Sequence, residues 1–268
     1  MLENASLEQR ETIHSLCSEY RTNNHIDPAK FERYDVKRGL RNQDGTGVMA
    51  GLTLICNVHG YVVRDNERIP DEGELTYRGI NIRDIIAGAE QENRFGYEEV
   101  AWLLLFGTLP TRSQLEGFIQ LINSCRELPP YFAEDMIMKA PSPNIMNKLA
   151  RAVLTLYSYD DMPEDISLEN IMMQSINLIA KLPTIMSYAY QVKRRYYDHE
   201  SMFFHQISPE YGTAESILRA LRPDQKFTAE EAHLLELCLM LHAEHGGGNN
   251  STFTARVLAS SGPDTYSV

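Results

Sequence analysis

Cysteine is scarce in this chain and does not come in pairs. Cys17, Cys56, Cys125 and Cys238 are scattered over 268 residues with no Cys-x-x-Cys among them, so they read as reduced thiols and the chain is expected in the cytoplasm. Long apolar runs are missing too. No stretch approaches the roughly 20 residues that a membrane-crossing helix needs, and the first 30 residues have no signal-peptide core, so neither membrane insertion nor secretion is expected. Positive charge is outnumbered, with 25 Lys and Arg against 37 Asp and Glu and a net charge of −12. That balance excludes a general surface for nucleic acid or an anionic membrane, and leaves room for a local anion pocket. Internal repeats, low-complexity tracts and heptads are also absent. What remains is a globular composition, 43% hydrophobic and 23% charged, in a chain long enough for one large domain or two.

Helical periodicity dominates what is present. Ser6 and Gln9 form a capping-box pattern ahead of Leu7, Ile13, Leu16, Cys17 and Tyr20, predicting a first helix over 7–22 that ends at Asn23-Asn24. Gly45-Thr46-Gly47 reads as a loop opening onto a β-like stretch from Leu52 to Val63. With Leu75-Thr76-Tyr77, that stretch is expected to be the only sheet. From residue 81 onward the spacing predicts helices over 81–91, 96–106, 112–126, 144–158, 167–181, 184–198, 213–222, 228–245 and 251–261. The fold class is therefore mainly α, with a small N-terminal β element. Pro183 interrupts a helical pattern and is expected to kink or break it, because proline lacks the amide donor and crowds the preceding turn. The loop 199–212, with Pro209 and Gly212, is the expected mobile connection.

The densest chemistry lies in His242-Ala243-Glu244-His245-Gly246-Gly247-Gly248-Asn249-Asn250-Ser251. Thr228 and Glu231 cap a strongly apolar helix that runs into this segment, the glycines end it, and Asn249 to Ser251 can cap the next one. Three residues apart, His242 and His245 would share a face at a helix C-terminus, where the macrodipole favours imidazolium. A charged histidine there can hold a carboxylate. Backbone amides opening the following helix are natural anion donors, and glycines allow close approach. Two readings remain open on this chemistry, a small-anion site or histidines satisfied at a tight helix–helix turn. A metal is not expected, since zinc needs three or four ligands and Glu244 would face away from both histidines. A phosphate loop is disfavoured because the Gly-Lys-Ser/Thr ending is missing.

Trp102, Phe106, Tyr157, Tyr188 and Tyr190 read as core packing, and Lys193-Arg194-Arg195 as a solvated helix end. Arg78 can cap a sheet edge or border a substrate cleft. His14, His25, His59, His199, His205 and His233 show no partner spacing.

The run from His242 through His245, Asn249, Ser251 and Thr252 to Ser260-Ser261-Gly262 and Tyr266 resembles the oxaloacetate-binding segment of citrate synthases. Tyr77-Arg78-Gly79-Ile80, Leu103-Leu104-Leu105-Phe106-Gly107-Thr108-Leu109-Pro110 and Lys181-Leu182-Pro183-Thr184-Ile185 support the likeness, which spans residues 35–268 and looks most like the bacterial, anaerobe-type branch. One departure is Gly246, where many members carry glutamate.

The resemblance implies a large domain of that family over 1–268, ending before the small domain. It implies an acyltransferase of central metabolism, condensing acetyl-CoA with oxaloacetate to citrate and CoA, with acetyl-CoA as co-substrate and no cofactor. His245 would contact an oxaloacetate carboxylate beside His242, Asn249 would orient the substrate, and Ser251 would support the first catalytic histidine. That histidine belongs to a Gly-Pro-x-His-Gly motif, followed in the family by a Gly-x-Gly-His motif and an aspartate. None of the three is found in these residues, so the chain alone is expected to be inactive. A homodimer is implied as well. A 2-methylcitrate synthase portion and a non-catalytic helical interaction module are the alternatives.

Overall fold

The computed structural model describes residues 14, 16–18, 21–23, 27–34, 36–37, 39–42, 45–48, 51, 53–65, 67–246 and 249–268. Two units make up the chain, Met1–Gly51 and Leu52–Val268. Most of the helix expected over 7–22 lies outside the described residues; those described within it, such as 16–18 and 21–22, are helical. Helix α1 (Ala29–Arg33) starts after Pro28, with the Asp27 carboxylate accepting the Ala29 amide at 3.0 Å. Gly45-Thr46-Gly47 closes a tight turn, pinned by the Asn42 amide on the Thr46 carbonyl and a bridge between Arg41 and Gly47.

In the second unit, β1 (Cys56–Arg64), β2 (Glu67–Tyr77) and β3 (Ile80–Asn81) form an antiparallel sheet in that order. Cys56 pairs with Tyr77 and Arg64 with Glu67, with an irregularity between His59 and Tyr61. The first strand starts at Cys56, inside the stretch the sequence suggested, whose first residue, Leu52, lies outside the described residues. β2 is far longer than Leu75–Tyr77. Its outer part, Glu-Arg-Ile-Pro-Asp-Glu-Gly, is exposed on both faces, so no apolar alternation announces it. Pro70 is tolerated because β3 pairs only with Thr76 and Tyr77, so that among the described residues no strand on the far edge of β2 needs an amide there.

Among the described residues, eight α-helices follow: α2 (Ile82–Gln91), α3 (Tyr97–Phe106), α4 (Arg112–Ser124), α5 (Ile145–Leu156), α6 (Leu168–Tyr197), α7 (Thr213–Leu221), α8 (Ala229–His242) and α9 (Asn250–Ala259). Local chemistry sets their starts. Asn81, Thr111, Asn144, Ser167, Thr228 and Asn249 each turn a side-chain oxygen to a first-turn amide, with full capping boxes at Thr111/Gln114 and Thr228/Glu231. Gly107, at φ +87°, ends α3. The mainly α class with its small β element is borne out.

Packing resolves into three apolar clusters. One joins Cys56 and Tyr77 of the sheet to Ile82, Ile85, Val100, Leu103 and Met240. A second joins Ala101, Phe118 and Ile122 to Ile176 and Ala180 of α6. The third packs Phe132, Ile137, Ala152 and Leu156 against Ile185, Ala189 and Val192, further along α6.

Two expectations are corrected. Helix α6 runs unbroken through Pro183 for 30 residues, because tertiary contacts hold both sides of the proline. Upstream, the Lys181 ammonium donates to the Cys125 carbonyl at 2.9 Å; downstream, the Thr184 hydroxyl donates to the Arg126 carbonyl at 3.5 Å. The flanking turns are buried in separate clusters, and that burial outweighs the roughly 3 kcal/mol that an internal proline costs. The 199–212 loop is likewise tied down rather than loose. Tyr188 donates to the His205 carbonyl and stacks on Phe204, the Phe203 amide donates to Gln191, and Arg126 donates to the Tyr211 carbonyl.

An element with no sequence signal is a π-helix at Ala133–Met138. Lys148, 1% exposed, donates to the Met136 and Ala140 carbonyls near its end. Burial pulls that lysine's pKa down to about 8, with Arg151 adding to the shift.

Candidate functional site

The histidine segment lies between the end of α8 and the start of α9, and the sheet decides where the helix stops. Tyr77, fully buried, donates its hydroxyl to the Met240 carbonyl at 2.8 Å, with the Leu241 and Glu244 carbonyls at 3.5 and 3.4 Å. A helix leaves its last carbonyls unpaired, and here one phenol meets two of them and the Glu244 carbonyl just beyond. Burial pushes that phenol up to about 12, so it stays a neutral donor.

The helix therefore ends at His242, with Ala243 as its C-cap. His242 and His245 do not share a helical face: His242 closes the helix and His245 stands beyond it, both exposed. The His242 Nδ1 lies 2.8 Å from the Cys238 carbonyl. Glu244 turns back on the turn instead of facing away, its Oε1 accepting the Gly246 amide at 2.6 Å. Gly246 is buried at φ +78°, and a Cβ on it would stand 3.1 Å from the Cys56 carbonyl. Any side chain there meets both strain and backbone. Gly247 and Gly248 lie outside the described residues.

Asn249 caps α9, its Oδ1 accepting the Ser251 and Thr252 amides at 2.7 and 3.3 Å. Those two amides, natural anion donors on sequence grounds, are thus already satisfied. Ser251 is exposed in the first turn. The structure brings His242, His245, Asn249 and Ser251 onto one connection between two helix ends. Arg78 does not line that connection: at φ +51° it donates to the Leu104 carbonyl from Nη2 at 2.6 Å and Nε at 3.2 Å, capping α3.

Sequence reasoning named Tyr77 only as a strand residue and within the family likeness, and missed its role and that of Cys56, which come from long-range packing. It also missed Glu236, whose one signal was a carboxylate interrupting the apolar run from Ala232 to Leu241. Trp102, Phe106 and Phe118 form an aromatic cluster, and Lys193 and Arg194 pair with Asp198 and Glu200 at the helix end. His59 and His233 do have carboxylate neighbours, but distant in sequence. Among the described residues, no group of three or more His, Cys, Asp or Glu is placed to hold a metal ion, and no helix is long and apolar enough to cross a membrane.

These features define a multi-helix domain with a histidine- and glycine-bearing turn between two helix ends. The model of the family described as "Citrate synthase, C-terminal domain" matches residues 44–268. The chain is 30% identical over 239 residues to 2-methylcitrate synthase 1 of Corynebacterium glutamicum, covering 87% of this chain and 55% of that one. It is 30% identical over 244 residues to the citrate synthase of Haloferax volcanii, with the same two coverages. The crystal structure of citrate synthase from Pyrobaculum aerophilum superposes with a TM-score of 0.66 at 26% identity, over 87% of this chain and 55% of that one. The chain belongs to the citrate synthase family. It spans about half the length of the curated relatives it matches.

Proposed function

We propose that these 268 residues form the oxaloacetate-holding portion of a citrate synthase large domain. His245, with His242 beside it, meets a substrate carboxylate, Asn249 orients the substrate, and Ser251 supports a catalytic histidine supplied from outside these residues. The observation that carries this reading is the exposure of both histidines at the C-terminal end of α8. An exposed imidazole offers ring N–H groups to a substrate carboxylate, and a hydrogen bond to a carboxylate is a strong one.

Condensation of acetyl-CoA with oxaloacetate needs more than binding. The methyl proton of a thioester is weakly acidic, so a base and an oxyanion stabiliser must act together, each contributing on the order of 10²–10⁴ in rate. The sequence holds neither a Gly-Pro-x-His-Gly nor a Gly-x-Gly-His motif. Turnover to citrate and CoA therefore belongs to a longer assembly, with acetyl-CoA as co-substrate, no separate cofactor and a cytoplasmic setting. Relatives at equal identity include a citrate and a 2-methylcitrate synthase, so propionyl-CoA is the alternative acyl donor.

The assembly proposed is a homodimer. Helix α8 is rich in apolar residues but buries only Ala232, Glu236 and Met240, leaving Leu234, Cys238 and Leu241 exposed at helical spacing. The same stripe favours the second reading, a non-catalytic helical module that pairs through this face.

Calorimetric titration of oxaloacetate into the 268-residue chain tests the first reading. Saturable binding is expected, weakened about tenfold or more in His245→Ala, the loss of one charge-assisted hydrogen bond. An unchanged affinity in that variant, or no binding at all, would overturn it. Acetyl-CoA-dependent release of free thiol by the chain alone would overturn the claim that catalysis needs more residues.

A further inference from the structure

Six residues before His242, the middle of α8 carries a buried carboxyl. Glu236 is 2% exposed; its Oε1 accepts the Tyr97 amide at the start of α3, and its Oε2 meets no hydrogen-bond partner among the described residues. One turn on, Met240 packs so closely on Gly96 that a Cβ there would come within 2.7 Å of its methyl group. Helix α8 is thus seated on the N-terminus of α3 through Glu236 and Met240, just upstream of the histidine turn.

The surroundings are short of positive charge. From α3 comes Glu98, 3% exposed, whose Oε1 accepts the Thr213 amide at 3.0 Å and hydroxyl at 2.7 Å. From α7 comes Glu215, accepting the Gly212 amide at 2.9 Å. Between α4 and the π-helix comes Arg126, whose guanidinium lies 3.8 Å from Glu98 and donates to the Tyr211 carbonyl and the Ser216 and Thr213 hydroxyls. Arg126 thus answers Glu98, and Glu236 faces two further glutamates with only amides of the first turn of α3 in its favour. A buried carboxylate with an unmet oxygen is costly, and a proton removes the charge that makes it so.

We propose that Glu236 is a proton-linked positioning residue: protonated, it seats α8 on α3; ionised, it loosens the C-terminal half of α8 and the turn that bears His242 and His245. Burial, with the Glu98 and Glu215 charges adding to it, pushes Glu236 from 4.5 up to about 7, against the pull of the Tyr97 and Gly96 amides. The folded chain therefore holds this proton more tightly than the unfolded chain. Its contribution to stability is complete below pH 4.5, is lost as the pH rises to about 7, and stays lost above that. Loosening of α8 follows the same window. Only the effect on substrate rests on the oxaloacetate reading; the loosening does not.

The test uses the 268-residue chain and Glu236→Gln, which keeps the shape of the side chain and removes its charge. Thermal unfolding from pH 5 to pH 8 is expected to favour the variant progressively, by on the order of 10²-fold in the unfolding equilibrium across that range. Hydrogen exchange in 237–246, corrected for intrinsic rate, is expected to speed up by about tenfold or more between pH 6 and pH 8 in the original chain and not in the variant. A carbon-13 titration of the Glu236 carboxyl in the original chain needs no variant and is expected to show its midpoint near 7. A midpoint below 5.5, or equal pH dependence of exchange in both chains, would overturn the proposal. If exchange behaves as expected while oxaloacetate fails to bind, the proton link stands and the substrate reading falls. If oxaloacetate binds, its affinity should weaken from pH 6 to pH 8 more in the original chain than in Glu236→Gln.

Discussion

Tyr77 shows how one side chain can set the end of a helix from another element. Its hydroxyl satisfies carbonyls that α8 leaves open, and no periodicity in residues 228–245 signals this, so the helix was legible but its last turn was not. Tyr77→Phe keeps the ring in its apolar cluster and strands a buried carbonyl. Stability is expected to fall by about 1–2 kcal/mol, seen as a lower thermal midpoint, with faster hydrogen exchange confined to the end of α8. Uniformly faster exchange throughout the second unit would show that the ring, not the hydroxyl, matters. Gly246 was legible as a turn residue, but the Cys56 carbonyl that forbids a side chain there was not. His242 and His245 were legible as chemistry through their spacing and neighbours, yet their shared helical face depended on a helix end that Tyr77 moves.

Among the elements, helix cores were readable and interruptions were not. A cap such as Thr228/Glu231 is local, so sequence placed it correctly. Pro183 is local too, but its consequence is decided by Cys125 and Arg126, more than fifty residues away. Pro183→Ala restores an amide to a helix already continuous there, and is expected to stabilise the chain by about 1–3 kcal/mol, measured by urea unfolding. Destabilisation would mean that the ring's own packing outweighs the missing bond. The π-helix at Ala133–Met138 is an irregularity that a distant buried lysine helps to satisfy. The long β2 escaped notice because its outer part is exposed on both faces, where no burial imposes an alternating pattern.

For the molecule as a whole, composition anticipated a globular chain and periodicity a mainly helical one, and what they left open is the surface of α8. Leu234 is 64% exposed and Leu241 45%, on a helix too apolar to face only water. Analytical ultracentrifugation at micromolar concentration is expected to find a dimer in the original chain and a monomer in Leu234→Glu/Leu241→Glu with its fold intact. A monomer in the original chain would remove the homodimer from the proposed function. The consecutive residues Tyr77 and Arg78 bear on this larger scale. One holds the end of α8 and the other the end of α3, so two helices remote in sequence take their spacing from a single peptide unit, about 3.8 Å between α-carbons. That peptide acts as a gauge block: the hairpin beyond it can lengthen or shorten without disturbing either helix, whereas inserting one residue between the two would put both helix ends out of register at once.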